Sequence, residues 1–135
     1  MRHFLIAAGM LLILALAGCG FERPLSRGAL LYAENCATCH GADGRGGGGA
    51  NVAGLSKTPI DLTILRVENG GDFPALMVIN AISGYAGGTH AGRRMAPFNA
   101  LMSDSRRRVK TSEGRKRIPA PQADLLAYLD ALQRG

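Results

Sequence analysis

The chain has no Trp, and Phe and Tyr together make up 5% of its 135 residues. A small domain so poor in large aromatic side chains has limited means of building a core. A bound cofactor with a large apolar face would supply the missing buried area. Cys is equally scarce, with three in all. An odd count argues against a disulfide framework, so each Cys needs its own account. No convincing strand pattern, internal repeat or nucleic-acid-binding motif is visible. The length fits one domain, with little room for a second.

What is present is unevenly spread. The formal net charge is +6, from 16 Lys and Arg against 10 Asp and Glu. A basic balance points to nucleic acid, an anionic membrane surface or an acidic protein partner. No aromatic residues interleave with the basic ones, so nucleic acid is not the expected partner. Much of the hydrophobic content sits in the first seventeen residues. Met1-Arg2-His3 is a short basic start, and Phe4 to Leu16 is almost wholly apolar. That is the shape of a secretory signal, too short to span a bilayer comfortably. It ends in Leu16-Ala17-Gly18-Cys19, which resembles a bacterial lipobox. The resemblance implies that Cys19 is acylated and becomes the mature N-terminus. The competing reading is an ordinary cleaved signal with Cys19 left as a stray thiol. Acylation would remove an exposed thiol from an oxidising compartment, and two or more acyl chains hold a protein firmly. The expected division is a signal peptide over 1–18, a short tether over 19–25 and a domain over 26–135, held at a membrane in the bacterial periplasm.

Within the domain, Ser26 is a candidate N-cap for a helix over 27–36, with Ala29, Leu30, Tyr32 and Ala33 as its apolar stripe. Residues 41–54 are Gly-rich and read as loop. The run Gly46 to Gly49 lacks the Lys and Ser/Thr of a phosphate-binding loop. A turn and short helix are expected over 59–65, and a further helix over 74–82. The clearest helix runs over 121–133, with Leu125, Leu126, Tyr128, Leu129 and Leu132 on its apolar side.

Cys36-Ala37-Thr38-Cys39-His40 carries the chemistry. CxxCH is the haem-attachment motif: two thiols add across the two porphyrin vinyls, and the adjacent His coordinates the iron. A redox dithiol would call for a thioredoxin-like βαβ context, which a helical chain does not offer. A zinc site would need a second ligand pair, and none is present. An export signal agrees with haem attachment, which takes place outside the cytoplasm.

With these residues in hand, the chain resembles the class I cytochrome c family over most of its mature length. Gly28 and Tyr32 fall eight and four residues before Cys36. In the family a Gly and an aromatic at those places let the first helix cross the last one closely, and Asp124 to Leu129 looks like the partner stretch. The resemblance implies an all-α fold of three to five helices with long loops around one covalent haem c. Cys36 and Cys39 would be the anchors and His40 one axial ligand. The second axial ligand would be a Met in a later loop, and Arg94-Met95-Ala96-Pro97-Phe98 resembles that loop, although Ala96 stands where many members place Pro. Met77 fits a helical core better, while Met102 and His90 remain competitors. Met10 and His3 leave with the signal. The ring N–H of His40 should donate to a backbone carbonyl, which the family often draws from a Pro. No Pro lies between Gly41 and Lys57, so a residue within 50–55 is expected to supply it, with Leu55 packing on the haem.

Arg106-Arg107-Arg108-Val109-Lys110 and Arg115-Lys116-Arg117 read either as a solvated loop or as a docking patch for an acidic partner or anionic headgroups. The expected function is electron transfer between redox partner proteins by one haem with His40 and Met95 ligation. The alternatives are a haem subunit of a larger oxidoreductase, and a haem-based ligand sensor if Met95 is not a firm ligand. A small peroxidase usually needs a second haem, and only one CxxCH is present. No catalytic acid, base or nucleophile is evident.

Overall fold

A computed structural model of the chain describes residues 24–47, 58–83 and 101–134. The elements run α1 (Pro24–Asn35), α2 (Ala37–His40), α3 (Leu65–Glu68), α4 (Ala75–Ile82), β1 (Arg106–Thr111), β2 (Gly114–Pro119) and α5 (Ala120–Ala131). The small, mostly helical architecture is as expected.

Helix α1 starts two residues before Ser26, which lies inside the helix rather than capping it, so Pro24 and Leu25 are helical rather than tether. Its buried residues are Gly28 and Tyr32, with Leu31 packed alongside. Leu30, expected on the apolar stripe, is exposed, and so is Ala33. The contact line runs through the glycine because α5 crosses there. A Cβ on Gly28 would overlap the Asp124 carbonyl oxygen and lie 2.7 Å from the Tyr128 Cβ. Tyr32 and Tyr128 then stack with ring centroids 5.4 Å apart. Helix α5 buries Gln122 to Leu126 and Leu129, because α1, α4 and both strands pack against it. The core joins Tyr32, Leu65, Val78, Ile79, Ile82, Leu101, Ile118, Leu125, Leu126 and Leu129.

Three expectations need correction. The helix expected over 59–65 begins only at Leu65. Asp61 Oδ1 accepts the Thr63 N–H (2.8 Å) and hydroxyl (2.6 Å), and this Asx turn competes with a helix. Met77 is not core: it lies on the exposed side of α4, while Ala75, Val78, Ile79 and Ile82 are buried. The basic segment is not a loop but an antiparallel hairpin, with Arg108 opposite Arg117 and Lys110 opposite Arg115. Gly114 follows the two-residue turn at φ +100°, a conformation L side chains rarely adopt. Arg107 faces inward because Asp124, 3% exposed, accepts its guanidinium at 2.5 Å while also pairing with Arg27 at 2.9 Å.

The crossing predicts that Gly28→Ala destabilises the haem-loaded protein by about 2–3 kcal/mol despite the better helix propensity of Ala. Denaturant unfolding of the two proteins measures it, and an unchanged or higher stability would show that α1 and α5 have room to part.

Candidate functional site

The CxxCH segment continues α1 almost without a break. Cys36 N–H donates to the Tyr32 carbonyl (2.8 Å), and the His40 N–H donates to the Cys36 carbonyl (2.9 Å). Gly41 ends this extra turn at φ +80°. Its carbonyl accepts the buried Tyr32 hydroxyl at 2.6 Å. Tyr32 therefore ties the core to the far end of the motif. Burial, followed by the nearby Cys36, Tyr128 and Asp43, pushes its phenol up to about 12.

Cys36 and Cys39 are both free thiols and partly exposed. Burial, then the neighbouring Cys39, pushes the Cys36 thiol up to about 11. A redox or nucleophilic dithiol works through a lowered thiol pKa, so this environment is the opposite of the one that chemistry requires. Among the described residues no three His, Cys, Asp or Glu side chains gather as a protein-only metal site.

The carbonyl expected from 50–55 comes instead from Ile60, whose oxygen lies 3.3 Å from His40 Nδ1. A carbonyl can only accept, so Nδ1 is the donor in this contact, and Nε2 is the ring nitrogen that an axial ligand would use. The reason for the shift is the fold of the glycine loop. Gly44 and Gly46 have φ near +80°. A side chain on Gly46 would run into the Pro59 carbonyl. Gly46 N–H donates to the His40 carbonyl and Leu62 N–H to the Gly44 carbonyl, each at 2.7 Å, so the loop folds back and seats residues 59–62 beside His40. The residues that follow α5 hold the same segment from outside. Gln133 Nε2 donates to the Leu62 carbonyl (2.8 Å), Arg134 N–H donates to the Thr63 carbonyl (2.8 Å), and the Arg134 guanidinium reaches Asp61 at 3.0 Å. The Thr63 bonds, with Arg134 and Arg45 nearby, hold the Asp61 carboxyl below its usual range. Pro59, one residue before Ile60, was the signal in the sequence that the carbonyl lay further on.

Of the other residues singled out, Cys19, Met95, His90 and Leu55 lie outside the described residues. Met102 is 55% exposed, and its sulfur accepts a hydrogen bond from the buried Gln122 at 3.5 Å. Among the described residues no helix is long and apolar enough to cross a membrane.

Two thiols and a His in CxxCH spacing, an imidazole held through Nδ1 and a helix turn pinned at both ends suit a covalently held haem. A family model for cytochrome c matches residues 25–133. No curated protein and no solved structure matches the chain. The chain belongs to the cytochrome c family, which binds haem c covalently and works in haem-based electron transfer.

Tyr32 gives a test of this packing. Its folded pKa of about 12 lies above the ordinary 10.0. Its neutral form is therefore favoured by folding, so this contribution is complete below pH 10 and is lost as pH rises towards 12. Tyr32→Phe should cost about 1 kcal/mol at neutral pH, from the bond to Gly41, and should flatten the alkaline fall in stability. Denaturant midpoints across that range decide it, and parallel curves for the two proteins would show that Tyr32 does not feel the burial.

Proposed function

We propose that the protein is a membrane-tethered periplasmic electron carrier with a single haem c. Cys36 and Cys39 would hold the haem through thioether bonds, His40 would bind the iron through Nε2, and Met95 would take the second axial position. The observation that carries this reading is the His40–Ile60 bond, because it fixes the ring as an axial ligand requires. A haem so held supplies a one-electron ferric/ferrous couple.

The chain's own residues do the rest. Ile60 holds the His40 proton on Nδ1 and sets the ring's basicity. Tyr32 and Gly41 keep the motif from shifting against the core. A Met95 thioether would favour the reduced metal and close its second face, which would disfavour ligand binding and leave electron exchange with redox partner proteins. A non-exchanging haem subunit of a larger oxidoreductase would use the same residues, but no particular contact among the described residues favours it.

A redox titration with ferric absorption spectra of the parent and Met95→Ala tests the ligation. The parent should show the thioether-to-iron charge-transfer band, and the variant should lose it with a fall in potential. A band that persists in the variant assigns the ligand to another residue, Met102 first. The tether rests on Cys19. Mass spectrometry of the mature N-terminus should find a diacylated or triacylated Cys19, and an unmodified Cys19 or cleavage elsewhere removes the anchor from the proposal.

A further inference from the structure

The β1–β2 hairpin has a face that, among the described residues, neither the core nor the CxxCH segment uses. Strand alternation turns Arg107, Val109, Thr111, Lys116 and Ile118 inward, and Lys116 is further paired with Glu113 at 2.8 Å. It turns Arg108, Lys110, Arg115 and Arg117 outward, all exposed. Arg108 stands directly across from Arg117, and Lys110 directly across from Arg115. Like charges in opposed cross-strand positions weaken a ribbon. Here two successive pairs do so, with exposed Arg106 on the same face of β1. No carboxylate, apolar or aromatic side chain interrupts the four.

The base of this hairpin lies beside the start of α1, because Arg27 and Arg107 share the Asp124 carboxylate. Cys19 stands only five residues before Pro24, a span of at most about 18 Å when extended. The charged part of the hairpin begins about one residue pair beyond that shared carboxylate and runs on for roughly 10 Å. The first helical residues after the leash and the base of the ribbon thus lie close together.

We propose that this outward face is a docking surface for anionic phospholipid headgroups, which lays the domain on the membrane with the hairpin against it. Its orientation rests on the tether reading, but its affinity does not. A fitted protein interface is anchored by buried aromatic or apolar groups, and this face has none. Guanidinium groups pair with phosphate oxygens in a bidentate fork, and three of the four cations are Arg. A plane of phosphates relieves both opposed like-charge pairs at once. Screening limits the attraction to about 8 Å at physiological salt, so it acts on contact rather than at range.

The test uses the haem-loaded mature chain with Cys19→Ser, which keeps the hairpin and cannot carry lipid. It is sedimented with phosphatidylcholine vesicles with and without phosphatidylglycerol. Binding should require phosphatidylglycerol and vanish in high salt. Each basic residue at such a surface contributes on the order of fivefold. Arg115→Glu with Arg117→Glu leaves two cations against two carboxylates, and should lower affinity by at least about 100-fold. The same double variant turns both opposed pairs into attractive ones, so its thermal midpoint should stay level or rise. Lost binding is then not lost folding. Arg45→Glu, on the exposed glycine loop, should change affinity by no more than about threefold. Absent binding to the anionic vesicles, or equal loss with Arg45→Glu, overturns the proposal. So does a chain that ignores the vesicles yet is retained on polyglutamate through Arg115 and Arg117, which would give the face to an acidic protein. The state of Cys19 is read separately by mass, so a missing anchor and a missing headgroup site are distinguishable.

Discussion

The close passage of α1 over α5 at Gly28 is the contact from which the site is built. With only a hydrogen on Gly28, the helix can sit against the Asp124 carbonyl and the Tyr128 Cβ. That approach sinks Tyr32, one turn later, until it is 1% exposed. Its hydroxyl, now far from water, must find a partner, and the Gly41 carbonyl at the end of the CxxCH turn is the one it meets. Helix packing is thereby converted into a fixed position for Cys36, Cys39 and His40. In a chain without Trp, two tyrosines in tilted contact do the work that a larger aromatic core would do elsewhere.

The same helix pair controls His40 from its other side. α5 crosses α1 near its start, and its last turn and the residues that follow it reach back over segment 61–66. Gln133 bridges the Leu62 carbonyl and the Arg66 N–H, Arg134 grips Thr63, and Arg66 pairs with Asp130. These are polar contacts at the rim, each individually modest. Their effect is geometric: they leave Ile60 little freedom to move its carbonyl away from the imidazole. A ligand's basicity depends on that second contact, so the C-terminal end of the chain bears on the metal-binding strength of a residue some ninety positions earlier.

How much of this was legible follows from the kind of signal each feature leaves. CxxCH is contiguous and its spacing is set by the macrocycle, so it reads directly. The apolar residues of α4 and α5 give the spans of both helices to within a residue or two. Gly28 reads only through family resemblance, because a glycine on a buried face looks like a polar gap in a hydrophobic pattern. The Ile60 carbonyl belongs to the backbone and leaves no residue-type signal of its own beyond the adjacent Pro59. Its place depends on Gly44 and Gly46 adopting positive φ, and glycine content says loop without saying where the loop returns. Met77 was misplaced because Val78 offers an equally apolar residue one position on. Met95 and Cys19 rest on sequence pattern alone, as both lie outside the described residues.

The hairpin was hidden for a more specific reason. Alternation marks a strand when one face is apolar, and here two inward positions are filled by Arg107 and Lys116. Arg107 is acceptable inside only because Asp124 meets it, and Asp124 belongs to a helix more than a dozen residues later. Without that pairing, 106–110 reads as a basic run broken only by Val109. An ion pair with its carboxylate buried is weak evidence for stability, since desolvation offsets much of its attraction. What it decides here is the face. A roll of one residue would turn Arg106, Arg108 and Lys110 towards a single carboxylate and expose Val109, Thr111 and Ile118. The present arrangement satisfies Asp124 with one hairpin cation plus Arg27, buries the few apolar side chains the ribbon has, and sends the remaining charge to the surface. The concentration of exposed basic residues there is thus the complement of what the core could accept.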